Sequence, residues 1–170
     1  MSQKSISFWH PASLISTCFG VGKIPFAPGT FGSLAGVLLF FYLPAMSMIL
    51  LPILTVLGYV SIKKYNEITG SGDASEIVVD EVVGQWITFA LGVGIVKLIG
   101  HNPYLSERCD VCFVIAYLIC FVAFRFFDIV KPGPVGWADR NVKGAWGVML
   151  DDIIAGVLAG ITSALVFLAF

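Results

Sequence analysis

Five apolar runs, at 31–43, 46–62, 82–99, 111–130 and 153–170, are separated by short polar segments. Most are near the ~20 residues a helix needs to cross a bilayer. In hydrocarbon each backbone N–H and C=O must find its partner inside the protein, which for runs of this length means helices. The expected fold is therefore all-α, a polytopic membrane helix bundle of four to five hydrophobic helices, with residues 1–170 forming a single membrane-embedded domain. The first run has only 13 residues and is expected to tilt, dip into the bilayer or pack as a half-length helix, with Pro44 turning the chain into the second run. Composition agrees: 58% of residues are hydrophobic and 12% charged, and the mean hydropathy is +0.92, far more apolar than an ordinary soluble domain.

Charge is distributed unevenly along the chain. The net charge of −1 shows no basic excess and argues against a nucleic-acid partner. With a cytoplasmic N-terminus and five crossings, Lys4, Lys23, Lys63, Lys64, Arg125, Lys131, Arg140 and Lys143 fall inside, leaving Lys97 and Arg108 outside, as the positive-inside rule favours. The acids split the same way, with Asp80, Glu81, Asp128, Asp139, Asp151 and Asp152 inside. Because acids do little to set topology, that clustering asks for another cause. Lys4 is not joined to an apolar run with a cleavage site, so no removable signal peptide is expected. The pair Cys109 and Cys112 lacks histidine companions and reads as ordinary thiols. The runs do not fix an oligomeric state.

Three acidic clusters sit at helix ends. In the stretch 70–76, Asp73 and Glu76 read as a capping box, which would place Asp80 and Glu81 about two turns into the following helix. Asp128 ends one apolar run, Asp151 and Asp152 are expected to open the last, and dipole chemistry favours acids only at N-termini. Around them Arg125, Lys131, Arg140 and Lys143 fall within twenty residues, a fork-and-point-charge set suited to phosphate. Arg125 and Asp128, three apart, are also neighbours that can form an ion pair. Pro132 and Pro134 are expected to make a stiff loop. Hard oxygen donors beside cations suit Mg2+, which binds a few carboxylates, water and phosphate oxygens. Asp80, Glu81, Asp128 and Asp151 are therefore the expected metal ligands, with Asp152 joining them as a catalytic group. The Pro/Gly loop at 23–33 runs into a helix where Thr30 or Ser33 can cap, and whose first amides can meet an anion.

Several phosphatase chemistries are excluded by spacing. No Cys-x5-Arg loop and no Asp-x-Asp pair occurs, and His10 and His101 are the only histidines. Metal-assisted attack remains. A small transporter or channel is the alternative, although its polar residues would be expected through the mid-depth of several helices.

The segments 28–33, 77–88, 124–132, 137–144 and 147–156 together resemble phosphatidylglycerophosphatase A, in order and spacing, over most of the chain from Gly22 to Gly160. The resemblance implies a bacterial inner-membrane, magnesium-dependent enzyme acting on a phospholipid in the bilayer. It would remove the terminal phosphate of phosphatidylglycerophosphate at the cytoplasmic face. The expected site has Asp80, Glu81, Asp128, Asp151 and Asp152 as catalytic acids. Arg125, Lys131, Arg140, Lys143, Thr30 and Ser33 are expected to bind substrate. Glu76 and the pair Ala145-Trp146 depart from the family pattern without touching the acids.

Overall fold

The structure is a computed structural model. It describes residues 5–99 and 110–169, with side chains described for 5–96 and 114–169. The expected outer segment with His101, Glu107, Arg108 and Cys109 lies outside the described residues, as do the side chains of Lys97 and Cys112.

Among the described residues all regular structure is helical: α1 (Pro11–Ser16), a 3-10 turn (Val21–Lys23), α2 (Pro28–Tyr42), α3 (Pro44–Thr69), α4 (Val79–Ile99), α5 (Asp110–Val130), α6 (Pro134–Asn141) and α7 (Gly144–Ala169). Prolines set the boundaries. Pro28, Pro44 and Pro134 each occupy the first turn of a helix, where the missing N–H would have had no partner. Among the described residues three helices are long and apolar enough to cross a membrane: Pro44–Thr69, Val79–Val96 and Gly144–Ala169. α5 has 21 residues. α2, with 15, reaches about 22 Å, short of a ~30 Å hydrocarbon core.

α4 is the central element, packed on α7, α2, α3 and α5. Small residues let it approach α7 closely: a Cβ on Gly156 would lie 2.4 Å from the Gly84 carbonyl oxygen, and Thr88 Oγ1 donates to the Gly156 carbonyl at 3.2 Å. Close backbone approach of this kind is how helices associate where surrounding lipid removes the hydrophobic drive. Trp86 Nε1 donates to the Gly36 carbonyl at 2.9 Å and ties α4 to α2. One apolar cluster collects Phe40, Phe89 and Tyr117 with α7, and a second collects Ile62, Tyr65, Val79 and Met149. The outer face of α3, including Ile49, Ile53, Val56 and Val60, is exposed, as a lipid-facing surface would be.

Three expectations are corrected. Helix α4 begins at Val79 and not after Asp73, because Glu76 is committed elsewhere: Tyr65 Oη donates to its Oε1, and Lys23 Nζ lies 3.8 Å from its Oε2. Asp80 and Glu81 accordingly sit in the first turn of α4. The stretch after Pro132 is helix α6, since Pro134 starts a helix as readily as it stops one. Finally, α7 begins at Gly144, so Asp151 and Asp152 lie about two turns inside it.

Candidate active site

The first turn of α4 and the third turn of α7 meet beside the N-terminus of α2 and the end of α5. They enclose a cavity of about 560 Å3 lined by Asp73, Asp80, Glu81, Asp128, Asp151 and Asp152, together with Arg125, Lys131 and Thr30. Asp80, Glu81 and Asp152 each present a carboxylate oxygen within 4.8 Å of the other two. The register follows from the glycine contact: Asp80 precedes Gly84 by four residues and Asp152 precedes Gly156 by four, one turn in each helix. Asp80 and Asp152 are 7% and 4% exposed.

Hydrogen bonding leaves carboxylate acceptor oxygens open. Asp80 Oδ1, Glu81 Oε2 and Asp151 Oδ1 are buried with no hydrogen-bond partner, an arrangement that is costly for ionised groups unless a cation compensates. Among the described residues two cations, Arg125 and Lys131, line the cavity with the six acids. Arg125 Nη1 donates to Asp128 Oδ2 at 2.5 Å and to Ser33 Oγ at 3.2 Å, while Ser33 Oγ donates to the Gly29 carbonyl at 2.9 Å. Lys131 Nζ bridges Asp151 Oδ2 at 2.7 Å and Asp139 Oδ1 at 2.5 Å. Burial alone would lower the Lys131 pKa, but hydrogen bonds and charge from Asp139 and Asp151 outweigh it and hold the ammonium above the ordinary lysine value. Lys131 has a φ of +48°, uncommon for a residue with a Cβ. The backbone α2 start is equally close: a Cβ on Gly29 would lie 2.3 Å from Glu81 Oε1.

The oxygen-only donor set, its excess of negative charge and its unpartnered buried oxygens fit a hard divalent cation. Asp80, Glu81 and Asp152 form the tight group. Asp128 and Asp151 stand at its edge, each engaged by a cation. Among the substrate-binding candidates, Arg125, Lys131 and Thr30 line the cavity and Ser33 anchors Arg125. Arg140 and Lys143 are exposed and lie outside it, with Lys143 lining an adjoining space of about 430 Å3 next to Asp139 and Asp151. Sequence reasoning gave Asp139 no role and made Asp73 a cap. The helical i, i+4 spacing of small residues at Gly84, Thr88 and Gly92 and at Gly156 and Gly160 was the readable sign of the α4/α7 contact.

Fold and site define a class: an all-helical protein with membrane-length apolar helices and an oxygen-lined, cation-flanked cavity at their ends. A family model described as phosphatidylglycerophosphatase A matches residues 14–167, and the chain belongs to this family of lipid phosphatases. It is 36% identical to "Phosphatidylglycerophosphatase A" of Escherichia coli (strain K12) over 156 residues, covering 89% of this chain and 78% of that protein. It is 34% identical to the protein of the same name from Haemophilus influenzae (strain ATCC 51907 / DSM 11121 / KW20 / Rd), covering 92% and 88%. A third relative, "Putative phosphatidylinositol-3-phosphatase" of Bacteroides thetaiotaomicron, is 36% identical, covering 89% and 90%. No solved structure gives a significant match.

Proposed function

We propose that the chain hydrolyses the terminal phosphomonoester of phosphatidylglycerophosphate, giving phosphatidylglycerol and phosphate. It would do so with magnesium, at the cytoplasmic face of a bacterial inner membrane. The observation that carries the reading is the convergence of Asp80, Glu81 and Asp152 within 4.8 Å in one cavity with Arg125 and Lys131.

Asp80, Glu81 and Asp152 would hold the cation, with Asp128 and Asp151 completing the acidic wall. Magnesium, when bound, supplies charge neutralisation at phosphate oxygens and activation of water. Arg125 offers its guanidinium fork to the phosphate, steadied by Ser33 and Asp128, and Lys131 adds a point charge from the other side. The unpartnered oxygens are the acceptors for the cation or for the proton of an attacking water. Arg140 and Lys143, exposed at the rim, are suited to drawing an anionic headgroup towards the cavity. The inward orientation is supported by Lys63, Lys64, Arg125, Lys131, Arg140 and Lys143 gathering at the site end. The phosphatase relatives favour this over a transporter or channel.

The test is phosphate release by purified protein from phosphatidylglycerophosphate in mixed micelles, with magnesium and with excess chelator. A parallel arm uses phosphatidylinositol 3-phosphate, because the relatives' names differ in headgroup at similar identity. Magnesium-dependent release from the first lipid is expected; full release in chelator, or release from the phosphoinositide alone, overturns the assignment.

A further inference from the structure

Below the acidic cavity, α5 and α7 run in opposite directions. Asp128 of α5 and Asp152 of α7 both line the acidic cavity at one end, and deeper along the pair Leu118, Val122 and Phe126 of α5 face Thr162 and Val166 of α7 across an apolar groove of about 510 Å3. The groove and the active-site cavity are lined by successive turns of α5, Phe126 and Phe127 in the groove and Asp128 and Ile129 in the cavity. Ile129, which lines that cavity, is three residues beyond Phe126 and so shares its helix face. Ile115, Leu118, Val122, Phe126 and Ile129 form one exposed stripe at helical spacing, ending at the acids.

We propose that this groove binds one acyl chain of the lipid whose phosphate occupies the acidic cavity. The inference rests on the lipid-phosphatase reading above. Its length argues for a single chain of one leaflet: Ile115 to Phe126 is eleven residues, about 16 Å, close to half of the ~30 Å hydrocarbon core. Its volume lies within the range of pockets that enclose a ligand. Its position argues for the occupant, since Ile129 lines the same cavity as Arg125 and Lys131, so that a lipid held there by its phosphate would start its acyl chain beside the stripe. The chain then descends along the stripe. Thr162, ten residues beyond Asp152 on α7, is about 15 Å further along the axis and meets only the distal half of a long chain.

Thr162 is exposed, so Thr162→Phe adds bulk to the groove without entering the core. The experiment compares kcat/KM on dipalmitoyl and dihexanoyl phosphatidylglycerophosphate in mixed micelles. Thr162→Phe is expected to lower the long-chain to short-chain ratio by about tenfold or more, through KM, because a six-carbon chain ends above residue 162. A ratio equal to that of the unmodified protein overturns the proposal. Absence of phosphate release from both lipids by the unmodified protein would instead overturn the phosphatase reading. Should Thr162→Phe fail to fold, the unmodified protein is photolabelled with phosphatidylglycerol carrying a terminal diazirine on one acyl chain, in the presence of magnesium. Labelling is expected to concentrate on residues 114–119 and 162–166. Labelling spread equally over the exposed α3 face at Ile49, Ile53 and Val56 means bulk lipid only, and sinks the proposal.

Discussion

The carbonyl oxygen of Gly84 stands 2.4 Å from where a side chain on Gly156 would begin. That single contact fixes how near α4 comes to α7, and one turn above it Asp80 meets Asp152. The acid group is thus set by backbone approach in the apolar layer below.

Gly156→Ala is therefore expected to cost about 1–3 kcal/mol, the usual range for overpacking, and to lower turnover by more than the loss of folded protein explains. Gly94, on the same helix as Gly84, has nothing within 4 Å of its would-be Cβ; Gly94→Ala should leave stability and turnover intact. Thermal unfolding in detergent and turnover per folded molecule separate the two. Equal tolerance at both positions would detach the site from the glycine contact.

The acids divide by burial. Asp80→Asn, Glu81→Gln and Asp152→Asn should each reduce turnover by about two orders of magnitude or more, since several kcal/mol of charge stabilisation can depend on a bound cation. Calorimetric magnesium binding should weaken in parallel while folded yield persists. Asp73, exposed at the cavity mouth, is expected to tolerate Asn with a loss below about tenfold. Near-normal turnover in Asp80→Asn and Asp152→Asn would remove the assignment.

Legibility from sequence follows the range of the forces involved. The five apolar runs correspond to α2, α3, α4, α5 and α7 because membrane length and hydrophobicity are properties of a segment alone. The five acids named from sequence all line one cavity, because their clustering at run ends is also local. What was hidden depends on distant partners. Glu76 looked like half of a capping box until Tyr65 and Lys23 claimed it. Pro134 carries no mark distinguishing a helix start from a loop. Asp139 acquires meaning only when Lys131 turns towards it and Asp151 together.

Lys131 gives a pH prediction. Its pKa is raised despite burial, by Asp139 and Asp151, so its ion pairs stabilise the fold fully below the ordinary lysine value near 10.4 and are lost only as pH rises through the higher folded value. The alkaline limb of a turnover profile between pH 7 and 10 should consequently be the same for Lys131→Arg and the parent. Lys131→Met, by contrast, should raise KM at every pH, because Asp151 then faces the phosphate uncompensated. An alkaline limb that moves upward in Lys131→Arg would show that Lys131 titrates within that range.

Cys18 offers a test from outside the acid group. It lies in a tight turn after α1 with a φ of +46°, packed against both apolar clusters. Burial first, and the charge of Glu81 second, push its thiol from 9.0 up to about 12. The folded state therefore keeps the proton that the unfolded chain releases near pH 9, so stability is full below 9 and falls as pH rises towards 12. A pKa of about 12 in place of 9.0 leaves roughly a thousandfold less thiolate at pH 8, and the thiolate is the reactive form. Iodoacetamide should accordingly modify Cys18 about a thousandfold more slowly in folded protein than in denaturant, read by mass spectrometry of the Cys18 peptide. Glu81→Gln should speed labelling of the folded protein by removing the second cause, whereas Asp73→Asn should not. Labelling of folded Cys18 at the denatured rate would mean that the turn beneath Glu81 is open to solvent and that the acid group lacks its packed support.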